Sequence, residues 1–159
     1  VKEYICGYAR AMLKAGFLYS TSEEHEAFIA FKSSKESLGF GAVSELIKAV
    51  IRTMRFRDMI KLVKLAKKGG ESYEDSLKKA KKPYVFVGML VVRRKYQGQG
   101  YMRKVLDIAY EEGKKLGCPV LLDTDAALKR DKYVHLGMKN VRTRKFDEGI
   151  VLYDLAKED

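Results

Sequence analysis

Apolar residues recur along this chain with two periods, and the switches between them predict its elements. Between Tyr4 and Ala15, the residues Ile5, Tyr8, Ala9, Met12 and Leu13 fall on one side of a helix. Phe17 to Ser20 and Ala27 to Phe31 read as short strands joined across Thr21 to Glu24, an antiparallel hairpin. Gly39 and Gly41 open a long helical region in which Val43, Leu46, Ile47, Val50, Ile51 and Met54 keep helical spacing. Met59, Leu62, Val63 and Ala66 continue it past a break near Arg57, until Gly69-Gly70 ends it. Ser72 to Lys82 predicts one more short helix before Pro83, with Ser72 and Asp75 spaced as a capping box. Tyr84 to Val92 reads as a buried strand. The helix after it carries Met102, Val105, Leu106, Ala109 and Leu116 on one face. Pro119 to Thr124 is a second buried strand, followed by a short helix from Asp125 to Leu136. Val141 to Phe146 and Ile150 to Leu155 close the chain as a hairpin around Asp147-Glu148-Gly149.

The junction after Val92 carries the chemistry. A strand runs into the basic, glycine-rich turn Arg93-Arg94-Lys95-Tyr96-Gln97-Gly98-Gln99-Gly100, and a helix starts at once. That order leaves backbone N–H groups unpaired at a helix N-terminus, where the dipole also favours an anion, above all phosphate. No Lys-Ser/Thr pair follows the glycines, so the P-loop signature is missing. Only one G-x-G occurs here, so the dinucleotide fingerprint is absent too.

Gln97-Gly98-Gln99-Gly100-Tyr101-Met102 resembles the acyl-CoA-binding motif of the GNAT superfamily of N-acetyltransferases, Q/R-x-x-G-x-G/A after a buried strand. Gln97 and Gly100 match it, and Met102 stands where the pattern has a small residue. The sequel is similar to one GNAT branch. Asp123-Thr124 stands for its Glu-Thr, Tyr133 for its Tyr, and Leu136-Gly137-Met138 for its Leu-Gly-Phe, while Lys129 replaces its usual Asn. Tyr19-Ser20-Thr21-Ser22-Glu23 looks like the Thr-Ser-Glu hairpin of the same branch. The resemblance covers most of the chain, most specifically residues 86–138. It implies an α/β fold with a central mixed, mostly antiparallel sheet flanked by helices, in a single domain over residues 1–159. The helical segment 41–82 lies where the family places its substrate-facing part. The family has a strand and helix ahead of the first hairpin, and here the hairpin already begins at Phe17. An N-terminal strand, and with it one wall of the acceptor site, is therefore expected to be missing from the sequence.

Composition narrows the classes further. With 159 residues a single core is expected, large enough to hold a cleft without disulfides. Cys6 and Cys118 are far apart, without metal-type spacing, and read as small buried hydrophobes. No apolar run approaches the ~20 residues that span a bilayer, and no charged-then-apolar leader opens the chain, so a cytoplasmic protein is expected. The formal charge of +11 invites a nucleic-acid reading. Much of the excess, however, is lysine spread over helices, as at Lys61, Lys64, Lys67, Lys68, Lys78, Lys79, Lys81 and Lys82, without interleaved aromatic residues. A solvated basic face accounts for it better. A rim of Arg93, Arg94, Lys95, Arg103 and Lys104 also suits the several negative charges of coenzyme A.

The resemblance implies acetyl-CoA-dependent transfer of an acetyl group to a primary amine, by direct attack in a ternary complex. Leu90, Val91 and Val92 would pair with the pantetheine amides, with a backbone N–H near Val91 or Val92 facing the developing oxyanion. Gln97, Gly98, Gln99, Gly100, Tyr101 and Met102 would take the pyrophosphate, with Arg103 and Lys129 beside them. Tyr133 falls on the position that protonates the departing thiolate; its other reading is a core aromatic beside Leu128 and Leu136, and the motif spacing favours the first. Asp123, at the end of the second strand, is the candidate base, and its other reading is a helix N-cap. His25 and His135 read as surface residues, and Tyr84 stands where relatives often carry His. Met102, Lys129 and Tyr84 support an alternative, a non-catalytic acyl-CoA-binding or regulatory module of the same fold. The acceptor, a small molecule or a peptide amine, and homodimer formation both stay open.

Overall fold

The structure, a computed structural model, describes residues 2–53, 57, 69–146 and 149–158. Helix α1 (Lys2–Ala15) leads into the hairpin β1 (Leu18–Ser20) and β2 (Ala27–Ser33), then α2 (Phe40–Thr53) and α3 (Tyr73–Lys79). Strand β3 (Val85–Val92) and a 3-10 turn (Arg94–Tyr96) precede α4 (Tyr101–Leu116). β4 (Val120–Thr124), α5 (Ala127–His135), β5 (Lys139–Lys145) and β6 (Val151–Lys157) complete the order. Among the described residues the strands form one sheet in the order β1-β2-β3-β4-β6-β5. Only β3 and β4 run parallel; every other pairing is antiparallel. This is the mixed, mostly antiparallel sheet that the resemblance implied.

The parallel pair is short, for a local reason. β3 and β4 pair at Val85–Val120 and Phe86–Leu121, and then part. Against β2, Phe31 pairs with Val87 and Ala30 with Met89, so Gly88 is an extra residue in β3. Such a bulge bends its strand and ends regular pairing. Glycine is required there by close approach, because a Cβ on Gly88 would run into the Tyr8 hydroxyl reaching over from α1. The bend opens a gap between β3 and β4.

One face of the sheet is closed by α4, whose Val105, Leu106 and Ala109 pack on Ile29, Val85, Val120 and Leu155. Each large apolar side chain buried this way contributes roughly 1.5–3 kcal/mol. On the other face Leu77 of α3 meets Tyr84, Leu121 and Ala156, and α1 and α2 cover Ala30 with Ala11, Met12 and Ala42. The predicted capping box is present: Ser72 Oγ accepts the Asp75 N–H at 3.0 Å, and the Asp75 carboxylate accepts the Ser72 N–H at 3.3 Å. Buried Asp154 ties β6 to its surroundings, accepting from Arg144 Nε and Nη2 at 2.9 and 2.7 Å and from the Tyr73 N–H at 2.8 Å.

Several side chains differ from the expectation. In α1 the buried positions are Gly7, Ala11 and Met12, while Ile5 and Leu13 are exposed. In α2 Ala42 and Ala49 are buried, and Val43, Ile47 and Ile51 are exposed. The cause is a contact between small residues: a Cβ on Gly7 would collide with that of Ala49, so the two helices meet along their smallest side chains. Leu116 is exposed, and so is Cys6, whereas Cys118 is half-buried. Met54 and the continuation through Met59, Leu62, Val63 and Ala66 lie outside the described residues.

Candidate active site

The bend in β3 and the start of α4 border a cleft of about 910 Å³. Leu90, Val92, Gln97, Gly98, Gly100 and Tyr101 line one wall, continued by Met102, Arg103 and Tyr96. α5 supplies the other wall through Lys129, Lys132, Tyr133 and Leu136, with Leu128, Asp131 and His135 at its edges.

The strand wall offers backbone groups. Arg93 N–H donates to the Glu26 carbonyl of the β2 side at 2.9 Å. Alternation along a strand then turns the Val91 N–H toward β2 as well, and those of Leu90 and Val92 into the gap. Of Val91 and Val92, it is Val92 whose N–H points into the gap. Among the described residues, no ladder joins β3 to β4 past Phe86.

The turn wall is richer in donors. Gly98 and Gly100 have φ values of 76° and 81°, a left-handed conformation that glycine adopts without a Cβ penalty. Gln97 Nε2 donates to the Val92 carbonyl at 3.1 Å and Gln99 Nε2 to the Lys95 carbonyl at 2.8 Å, which hold the turn to the strand end. Arg103 and Lys104 donate their N–H groups to the Gly100 carbonyl at 3.1 and 3.2 Å. The N–H groups of Gly98, Gln99, Gly100, Tyr101 and Met102 have no partner among the described residues. They are backed by the positive end of the α4 dipole. Around them Lys95 lies 4.6 Å from the Tyr96 ring centre and Lys104 4.5 Å from that of Tyr101, so two cations are held beside the turn by aromatic faces. Glu26 lies against the same turn, its carboxyl drawn down to about 2 by hydrogen bonds from Ser22 and Thr21.

Tyr133 is half-buried against the core and lines the cleft. Burial pushes its hydroxyl pKa up, so the phenol keeps its proton at neutral pH. Asp123 does not line the cleft. It shares the face of Leu121, and its carboxylate lies 3.6 Å from Arg144 Nη2, with a half-exposed side chain. Burial pushes its pKa up against the pull of Arg144. The N-cap reading for Asp123 is corrected: Ala126 occupies that position in α5 without a side-chain cap. Gln99 and Val91 also stay out of the lining.

Tyr84 is buried at the opposite end of β3 and donates its hydroxyl to Glu74 at 2.8 Å. His25, exposed at the hairpin turn, has φ 54° and stacks on Phe28 at 5.5 Å. His135 is exposed, as read from the sequence, and also borders the cleft. So do Lys132 and Leu136, which i,i+3 and i,i+4 spacing from Lys129 and Tyr133 would have indicated. Tyr8, which the sequence places on the apolar side of α1 without a further role, has its hydroxyl pushed up to about 12 chiefly by burial and meets the Gly88 bend. An isolated glycine in a strand pattern was the signal there.

Among the described residues no cluster of His, Cys, Asp and Glu could hold a metal ion, and no helix is long and apolar enough to cross a membrane.

The sheet, with its parallel pair parting beside a glycine-rich helix start, has a fold shared with solved N-acetyltransferases. The model of the acetyltransferase (GNAT) family matches residues 66–135. The arylalkylamine N-acetyltransferase 2 of Aedes aegypti shares 14% identity over 95% of this chain and 77% of that one, with a TM-score of 0.61. For a polyamine N-acetyltransferase of Drosophila melanogaster the figures are 10%, 96%, 79% and 0.57. A crystal structure from Agrobacterium tumefaciens is 27% identical over 48% of this chain, with a TM-score of 0.43, and the match spans 57% of that protein's length. No curated protein sequence matches. The resemblance to the GNAT superfamily therefore holds in a family match and in the fold.

Proposed function

We propose that this chain is an acetyl-CoA-dependent N-acetyltransferase that acetylates a primary amine by direct attack in a ternary complex. The observation that carries this is the run of unpartnered N–H groups from Gly98 to Met102 beside a strand that turns Leu90 and Val92 into an unpaired gap. The donor set fits acetyl-CoA: the turn and the α4 dipole take its pyrophosphate, and Arg103 and Lys129 neutralise further phosphate charge. Leu90 and Val92 offer strand-like partners to the pantetheine amides. When bound, acetyl-CoA supplies an acetyl group activated as a thioester.

The Val92 N–H stands as the donor toward the carbonyl oxygen where charge develops. Tyr133 holds a proton at its hydroxyl for the leaving sulfur. Burial raises its pKa and weakens it as an acid, and an apolar cleft raises a thiol's pKa in the same sense. Asp123 is kept as the base, acting from the other face of the sheet on an amine that enters there. The alternative, a non-catalytic acyl-CoA-binding module, is favoured by one observation. Among the described residues the one carboxylate bordering the cleft, Asp131, is paired with Arg130 at 2.7 Å.

Calorimetric titration with acetyl-CoA, followed by thiol release across a panel of primary amines, tests both readings. Binding with turnover, and a kcat lowered about a hundredfold by Tyr133→Phe with little change in KM, supports the enzyme. Binding without turnover on any amine supports the module, and absence of binding at millimolar ligand defeats both.

A further inference from the structure

A second concave region of about 540 Å³ lies at the opposite end of β3, roughly 25 Å from the glycine-rich turn along the strand. Five lysines line it: Lys32 and Lys35 from the end of β2, and Lys78, Lys81 and Lys82 from the end of α3. Its one carboxylate, Glu74, is already engaged by the Tyr84 hydroxyl at 2.8 Å and by Lys78 at 3.0 Å. Lys32 donates to the Glu36 carbonyl at 3.3 Å. The ammonium groups of Lys35, Lys81 and Lys82 have no carboxylate within ion-pair distance among the described residues.

Lys35, Lys78, Lys81 and Lys82 are exposed, as a solvated basic face requires, and their backbones are fixed relative to one another. Ser34 N–H donates to the Tyr84 carbonyl at 2.8 Å, and Ser34 Oγ accepts the Tyr84 N–H at 3.2 Å. The two loops that bring the cations are thus stitched together. At the end of α3, Lys82 N–H donates to the Leu77 carbonyl and Lys81 N–H to that of Lys78, the double bond of a Schellman stop. The left-handed residue of that stop is Lys81, with φ 54°, at a position that ordinarily carries glycine. The chain accepts this backbone cost and places an unpaired cation at the rim.

We infer that this pocket is a second anion site, and that it binds a compact oligophosphate independently of the glycine-rich turn. Several unpaired ammonium groups around one concavity attract a ligand that carries several charges on a short chain. A nucleic-acid strand fits less well. Tyr84, the aromatic residue of the lining, is only 5% exposed and offers no ring face for a base. The inference does not rest on the acetyltransferase reading.

The test is a nitrogen-15 NMR titration of the full chain with sodium tripolyphosphate. Saturable shifts are expected at the amides of Ser34, Lys35, Lys81, Lys82 and Tyr84. Combined Lys81→Gly and Lys82→Gln should weaken that binding at least about tenfold, since hydrogen bonds to charged groups are the strong ones. Lys81→Gly relieves the left-handed backbone, so the melting temperature should hold or rise, which separates lost binding from lost folding. Absence of shifts, shifts confined to residues 97–103, or affinity untouched by the double substitution would overturn the inference. So would a single-stranded RNA oligomer that saturates the same amides and is not displaced by tripolyphosphate.

Discussion

The two ends of β3 offer positive potential by different means. At its C-terminal end the donors are backbone N–H groups of a turn held by Gln97 and Gln99; at its N-terminal end they are lysine side chains on two stitched loops. Backbone donors are already fixed by folding, so a ligand orders little more. Each lysine that a ligand pins loses up to ~2 kcal/mol of rotamer freedom. The first arrangement reads shape and tolerates side-chain change, provided no Cβ or bulk intrudes. The second reads charge, and should weaken in proportion as cations are removed or screened.

Crossing substitutions between the ends gives the largest expected contrast. Gly100→Glu puts a side chain and a negative charge at a left-handed position in the turn, and should lower acetyl-CoA affinity about a hundredfold or more, a loss of over ~2.7 kcal/mol. Tripolyphosphate binding at the lysine pocket should stay within about twofold, and Lys82→Gln should do the reverse; calorimetry on both variants reads the pair. A loss of both affinities in either variant would break the distinction. Salt should separate the ends less sharply. Between about 50 and about 200 mM sodium chloride, tripolyphosphate affinity should fall roughly tenfold and acetyl-CoA affinity roughly threefold, because exposed ammonium groups are screened most. Equal slopes would mean that the turn, too, works mainly through its lysines and arginines.

The smallest effect concerns the carboxylate beside the turn. Glu26 titrates lower in the folded chain, at about 2, than the ~4.3 of an unfolded glutamate. Its contribution to stability is therefore present above the unfolded value and lost as pH falls through about 2. Glu26→Gln should flatten the pH dependence of the melting temperature between those values and leave neutral behaviour nearly unchanged. Thermal melts across that window check it, and identical curves would remove Glu26 from the account of the hairpin.

Much of the fold was legible because its periods differ. Strict helical spacing in α4, the continuous apolar runs of β3 and β4, and Ser72 with Asp75 each carry a local signal. The packing of α1 on α2 was not legible, since Gly7, Ala11, Ala42 and Ala49 barely register in a hydrophobic pattern and yet set how closely two helices meet. The glycine-rich turn announced itself through residue types that must be adjacent. Asp123 did not reveal its face, because Val120, Leu121 and Leu122 are all buried and alternation there carries no polarity. For Val91 and Val92, the choice depended on one hydrogen bond from Arg93 to a strand far away in sequence.

By itself, then, the sequence determined where strands and helices form, that a turn between β3 and α4 offers unpaired N–H groups, and which chemistry such a turn suits. These properties depend on neighbours along the chain, whose geometry peptide bonds already constrain. Tertiary structure alone decided that β3 bends at Gly88 under Tyr8, that Asp123 and Tyr133 occupy different faces, and that lysines near residues 32 and 81 share one concavity. Those outcomes depend on which surfaces meet after the chain folds back on itself, and no local pattern encodes a contact between segments fifty or eighty residues apart.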